Sequence, residues 1–278
     1  MMNNDIFSLG RFGLLLKKDI LENWKKYLIY MLVLYGVLSL LFIWISLTNG
    51  DFLIANKRYG YQFYYNTLLQ VTGILLFAFG ALAASTIMEP MNNKVKRITY
   101  LMQPSSSMEK FLLRWVLLTI VYIIVFIVVL WFADITRIMF CMIKFPEMSA
   151  SSIFAMTNNP EINNRPLYEE PAYVLLTIVF VYTFIQSFFV LGATFWQKNA
   201  AVKTFASGII LLAVFLLFCG GVVTIAFEDG ADGYSNARNL IQGSTITIFI
   251  ATLFAVLTLF NWVLAYFRFK ESEIINRF

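Results

Sequence analysis

Six uninterrupted apolar runs, each about 20 residues long and so matched to a hydrocarbon core of roughly 30 Å, occupy most of this chain. They fall near residues 28–47, 67–88, 111–132, 172–196, 204–227 and 244–267. Continuous runs of this kind argue against spanning strands, whose polarity alternates over about ten residues. Composition agrees, with 60% hydrophobic residues, 13% charged residues and a mean hydropathy of +0.74, outside the range of an ordinary soluble domain. The expected fold is all-α, a polytopic integral membrane protein with six transmembrane helices. The 278 residues leave little room for a soluble catalytic module beside them.

The distribution of Lys and Arg sets the expected orientation. With the N-terminus in the cytoplasm, 15 of the 21 Lys and Arg fall on that side; Lys57, Arg58, Arg137, Lys144, Arg165 and Arg238 fall on the other. Both termini are therefore expected in the cytoplasm, in a multi-pass protein of the plasma membrane. The net charge of +5 reads as a topology signal and not as a nucleic-acid footprint. The first 27 residues lack the short apolar core and small-residue site of a cleavable signal peptide.

Several chemistries are excluded by residue type. The chain has no histidine, which removes His-ligated zinc, histidine general bases and most Ser or Cys triads. No phosphate-binding glycine loop or dinucleotide fingerprint is present. Cys141, expected in an external loop, and Cys219, in span five, sit at different depths and are not expected to pair. The acidic run 228–236, "EDGADGYSN", lacks the ligand spacing of a calcium loop and reads as a solvated turn. No catalytic, cofactor or metal residues are expected in this chain.

Two polar stretches carry more information. In the first, residues 1–27, Ile6, Leu9, Phe12, Leu16 and Ile20 recur at helical spacing with Lys17, Lys18, Glu22, Lys25 and Lys26 to the sides. This predicts an N-terminal amphipathic interfacial helix, apart from the transmembrane region of 28–278. The second, loop 89–110, sets Val95, Ile98 and Met102 on one helical stripe. Pro104 disfavours helix at Gln103, and Ser106 with Glu109 forms a capping box for a new helix leading into span three. Such a loop suits a transverse helix docked on a cytoplasmic partner, or equally one lying on lipid headgroups.

The same loop resembles a known family. "KRITYLMQPSSSMEKFLLRW", with an acidic residue ahead of it at Glu89, is similar to the corresponding loop of the ABC-2 (type V exporter) permease family, the membrane subunits of ABC transporters. The likeness covers the whole chain in architecture and about 25 residues in motif. It departs at "EPMNNK", where many members carry glycine and further acidic residues. The resemblance implies that this loop is the coupling helix. Asn93, Lys94, Lys96, Arg97, Tyr100, Leu101, Met102, Gln103 and Pro104 would then contact an ATP-binding subunit, with Ser106 and Glu109 capping the exit. It also implies two ATP-binding subunits as separate chains holding ATP and Mg, a second permease copy or a homologous permease, and a bacterial inner-membrane location. The implied function is ATP-driven export, and the apolar bundle points to an amphipathic, lipid-like or peptide cargo.

Competing readings stay open. An ion-coupled secondary transporter calls for ionisable residues at mid-membrane, and the six apolar runs carry none away from their ends. A membrane enzyme calls for a cluster of reactive groups near one interface; Asp134, Arg137, Glu169 and Glu170 are the candidates, and they read instead as solvated helix ends. A non-transporting scaffold is the third alternative. Gly208, Gly220 and Gly221 in span five mark a possible dimer seam, and Gly73, Gly80 and Ala84 a close approach in span two. External loop 133–171 contains "ITRIMFCMIKF", read as a short re-entrant or surface helix over the bundle mouth.

Overall fold

The computed structural model describes residues 7–55, 57–92, 94–146, 151–156, 172–196, 198–226 and 244–274. Among these residues all regular structure is helical. In chain order the helices are α1 (Leu9–Ala55), α2 (Lys57–Ala84), a 3-10 turn (Glu89–Met91), α3 (Lys94–Leu101), α4 (Ser107–Val116), a π turn (Leu117–Val121), α5 (Tyr122–Lys144), α6 (Ile153–Met156), α7 (Ala172–Phe195), α8 (Ala200–Ala226) and α9 (Ser244–Ile274). Six of the helical stretches are long and apolar enough to cross a membrane, as a multi-pass membrane protein requires. The chain divides into two compact units, Met1–Ala83 with Ser105–Pro171, and Ala84–Pro104 with Ala172–Phe278.

In the first unit, the N-terminal helix expected over 1–27 is not a separate element. It runs without interruption into span one as the 47-residue α1, about 70 Å long at 1.5 Å per residue. No Pro or Gly stands between Gly13 and Gly36 to break it. Span three behaves alike. The chain is helical from Ser107 through the π turn to Lys144, so "ITRIMFCMIKF" continues α5 and does not form a re-entrant helix. Pro146 explains where it stops, since the residue before a proline leaves the helical region, and Phe145 does so at φ −129° and ψ 72°. Within the π turn the Thr119 hydroxyl donates to the Trp115 carbonyl at 2.6 Å.

Leu38 and Phe42 of α1, Tyr64 and Leu68 of α2, and Phe126 and Ala133 of α5 form the apolar core of this unit. Polar contacts link the same helices: Tyr35 to Thr136 at 2.8 Å, and the Tyr122 hydroxyl to the Leu76 carbonyl at 3.1 Å. Gly50 lets the Phe145 ring lie against the α1 backbone, where a Cβ would collide with it. Cys141, expected in a loop, is buried in this core as a free thiol.

In the second unit α7 packs on both α8 and α9. Asn261 of α9 donates to the Ser187 hydroxyl of α7 at 3.1 Å, and Phe184 meets Phe254 with ring centroids 5.0 Å apart. Thr204 of α8 sits where a Cβ on Gly192 would be. Only 6% of the apolar window of α8 is buried, against 22 to 33% for the other five spans, which leaves α8 with the most surface to give to lipid. The acidic run 228–236 and the acidic pair Glu169 and Glu170 lie outside the described residues.

Candidate functional site

The loop that carries the family-like motif is built as a short helix between a sharp turn and a capped restart. After α2 the chain turns through residues 85–88 and a 3-10 turn at Glu89–Met91, with Pro90 in its first positions and Met88 and Met91 buried. Helix α3 follows. Its Tyr100 is only 7% exposed and meets the buried Phe269 of α9 edge-on at 6.5 Å. The Tyr100 ring, named among the expected partner contacts, packs within its own unit.

The stripe predicted for α3 stands in the open. Val95 is 77% exposed, Ile98 58% and Met102 78%, with Lys96 also exposed and Arg97 half-buried. Lys94 and Leu101 belong to the helix, but their side chains, like all of Asn93, lie outside the described residues. Gln103 is half-buried and its N–H bonds the Tyr100 carbonyl at 3.4 Å; Pro104 is exposed. Beside the 3-10 turn a cavity of about 280 Å³ is lined by Glu89, Asn92, Trp196 and Asn199 among others.

The capping box is present as expected. The Ser106 hydroxyl accepts the Glu109 N–H at 3.1 Å, and Glu109 Oε2 accepts the Ser106 N–H at 3.0 Å. Sequence reasoning missed what the other carboxylate oxygen does. Glu109 Oε1 accepts the Ser8 N–H at 2.8 Å and the Arg11 guanidinium through Nε at 3.2 Å and Nη2 at 3.1 Å. The carboxylate is buried, so the start of α4 is fastened to the start of α1. Two turns further on, Arg114 pairs with Asp19 at 3.1 Å, and Asp19 also accepts from Asn23 and from Tyr27. Asp19, Asn23 and Tyr27 recur every fourth residue, the signal in sequence that marks this polar face of α1.

A second polar cluster overturns the reading of Asp134 and Arg137 as solvated ends. Asp134 is 1% exposed and Arg137 is fully buried. Arg137 donates to Asp134 Oδ1 through Nε at 2.9 Å and Nη2 at 2.7 Å, to the Tyr64 hydroxyl through Nη1 at 2.9 Å, and to the Ser151 carbonyl at 2.7 Å. Asp134 Oδ2 accepts the Ser152 hydroxyl at 2.7 Å and the Ile153 N–H at 3.0 Å. Each carboxylate oxygen therefore takes two donors, which is how a charge pair tolerates burial. The i, i+3 spacing on a helix was the available clue.

The proposed seam glycines divide. A Cβ on Gly208 would lie 3.3 Å from the Phe188 ring of α7, so this glycine serves packing inside its own unit. Gly220 and Gly221 are helical, and their surroundings lie outside the described residues. Among the described residues nothing lies within 4 Å of a Cβ at Gly73, which therefore marks no close approach among them. In comparisons with protein-family models, curated proteins and solved structures, nothing matches this chain.

Proposed function

We propose that this chain is the transmembrane permease subunit of an ATP-driven exporter, with ATP hydrolysed by a separate subunit that docks on α3. The observation that carries the reading is the exposed stripe of Val95 and Ile98 on a helix of eight residues, continued by Met102 just past its end. A helix so short has no stability of its own in water. It is held by Tyr100 on Phe269 and presents apolar side chains on its free surface. Covering each of them supplies about 1.5 to 3 kcal/mol before association costs. From Met102 only Gln103, Pro104 and Ser105 intervene before the Ser106 cap, so displacement of α3 reaches the long α4–α5 helix through a minimal, proline-stiffened link.

In this reading the α3 side faces the cytoplasm, ATP and Mg are held by two partner subunits, and a second permease copy or a homologous one completes the transporter. An apolar helical bundle fits an amphipathic cargo, lipid-like or peptide. The test is purification of the tagged chain from its native membrane in mild detergent, with mass spectrometry of accompanying chains. An ATP-binding protein of about 25 to 35 kDa, the size of one such domain, is the expected companion. Recovery of the chain alone would contradict the proposal.

The Asp134–Arg137 pair favours a second reading, ion-coupled transport, because ionisable groups buried in a spanning helix mark ion paths. Its four acceptor sites on Asp134 are already taken by protein donors, which leaves no place for a transported cation without breaking the cluster. Asp134→Asn separates the two readings: it abolishes transport driven by an ion gradient, whereas ATP hydrolysis in the exporter persists.

A further inference from the structure

We propose that the Asp134–Arg137 pair is a latch that holds residues 151–156 over one end of the first unit, and that its release lets water reach the polar groups beneath. This inference stands apart from the exporter reading, since it uses no residue of α3.

The segment in question meets the ion pair through three successive residues. Ser151 offers its carbonyl to Arg137, and Ser152 and Ile153 donate to Asp134, so three successive residues bind the same ion pair. The Ile153 side chain adds an apolar anchor in the core, while Phe154 and Ala155 are exposed. Losing Asp134 Oδ2 as an acceptor therefore loosens the start of α6 at once.

Beneath the segment the polar groups continue inward. Arg137 donates to the Tyr64 hydroxyl, which shares a 2.7 Å hydrogen bond with Ser46, and Ser46 in turn bonds the Phe42 carbonyl at 2.8 Å. Tyr64 and Ser46 are fully buried, and the line crosses from α5 to α2 to α1. Apolar residues of equal volume would stabilise this end as well as or better than a buried ion pair. What the pair adds is a closure that is specific in position and breakable at one carboxylate. With the segment lifted, the remaining polar line has groups that water can satisfy, which an apolar interior would not offer.

Asp134→Asn isolates the latch. Asparagine keeps one oxygen for Arg137 but turns the other site into a donor facing the Ile153 N–H and the Ser152 hydroxyl. The measurement is the rate at which a thiol reagent labels single cysteines in chains held in lipid nanodiscs, where both faces are accessible, with Cys141 and Cys219 replaced by alanine. Ile153→Cys is expected to react slowly on its own and about tenfold or more faster with Asp134→Asn. Ser46→Cys is expected to follow it, and the core reference Leu38→Cys to stay unreactive. An unchanged rate at Ile153→Cys overturns the latch, as does an equal rise at Leu38→Cys, which reports a bundle loosened as a whole. A rise at Ile153→Cys without one at Ser46→Cys overturns the hydration of the interior. Should Asp134→Asn fail to fold, Ser152→Ala removes one bond to Asp134, together with the 3.3 Å bond that the Ser152 hydroxyl accepts from the Phe154 N–H, and leaves the ion pair intact. It is expected to raise labelling of Ile153→Cys several-fold, and no rise would again overturn the proposal.

Discussion

Glu109 caps α4 with one carboxylate oxygen and holds Ser8 and Arg11 with the other, so its removal frees two helix starts together. Glu109→Ala is expected to lower stability by about 2 to 3 kcal/mol, from the lost cap and the unpaired Ser8 N–H, with the half-exposed Arg11 contributing little. Thermal unfolding in detergent measures this, and Glu109→Gln should recover part of the loss because its oxygen still accepts. At Gly192 a methyl group would occupy the place of Thr204, so Gly192→Ala is expected to cost about 1 to 3 kcal/mol in the same assay. Gly208→Ala needs only a slight shift of the Phe188 ring and should cost less. What sequence showed at this scale was local. The capping box lies within four residues and was legible. The partners of Glu109 lie about a hundred residues away, and the burial of Asp134 and Arg137 depends on Tyr64 and Ser151, so neither could be read from spacing along one element.

At the scale of elements, α3 shows two faces with different duties. Tyr100→Ala is expected to destabilise the second unit by about 2 to 4 kcal/mol through loss of the contact with Phe269. Ile98→Asp, on the exposed stripe, is expected to leave the melting temperature within a degree or two while abolishing partner-dependent ATP hydrolysis. A matching fall in stability for Ile98→Asp would mean that the stripe serves folding instead. The existence of α3 and its end before Pro104 were legible because proline and serine punctuate the chain there. The continuity of α1 across residues 27–28 and of α5 beyond Phe132 was equally written in the absence of Pro and Gly. Polarity does not mark the boundary: a helix can pass from apolar to charged sequence without a break when neighbours pair its charges, as Glu109 and Arg114 do for Arg11 and Asp19.

For the molecule as a whole, six apolar stretches were sufficient to foresee six helices able to cross a membrane, because continuous burial in lipid leaves backbone groups no partner but their own helix. Which faces pack and which meet lipid was not legible, since both are apolar; the sparse burial of α8 emerges only from the packing of α7 and α9. The central claim is that a separate ATP-binding subunit covers the α3 stripe. It is tested most directly by placing a photocrosslinking amino acid at Ile98, irradiating native membranes and identifying the product by mass spectrometry. The account predicts a crosslink to an ATP-binding protein, lost when Lys96 and Arg97 are both changed to Glu. Crosslinks to lipid alone, unaffected by that change, would contradict it and leave α3 as a helix resting on headgroups.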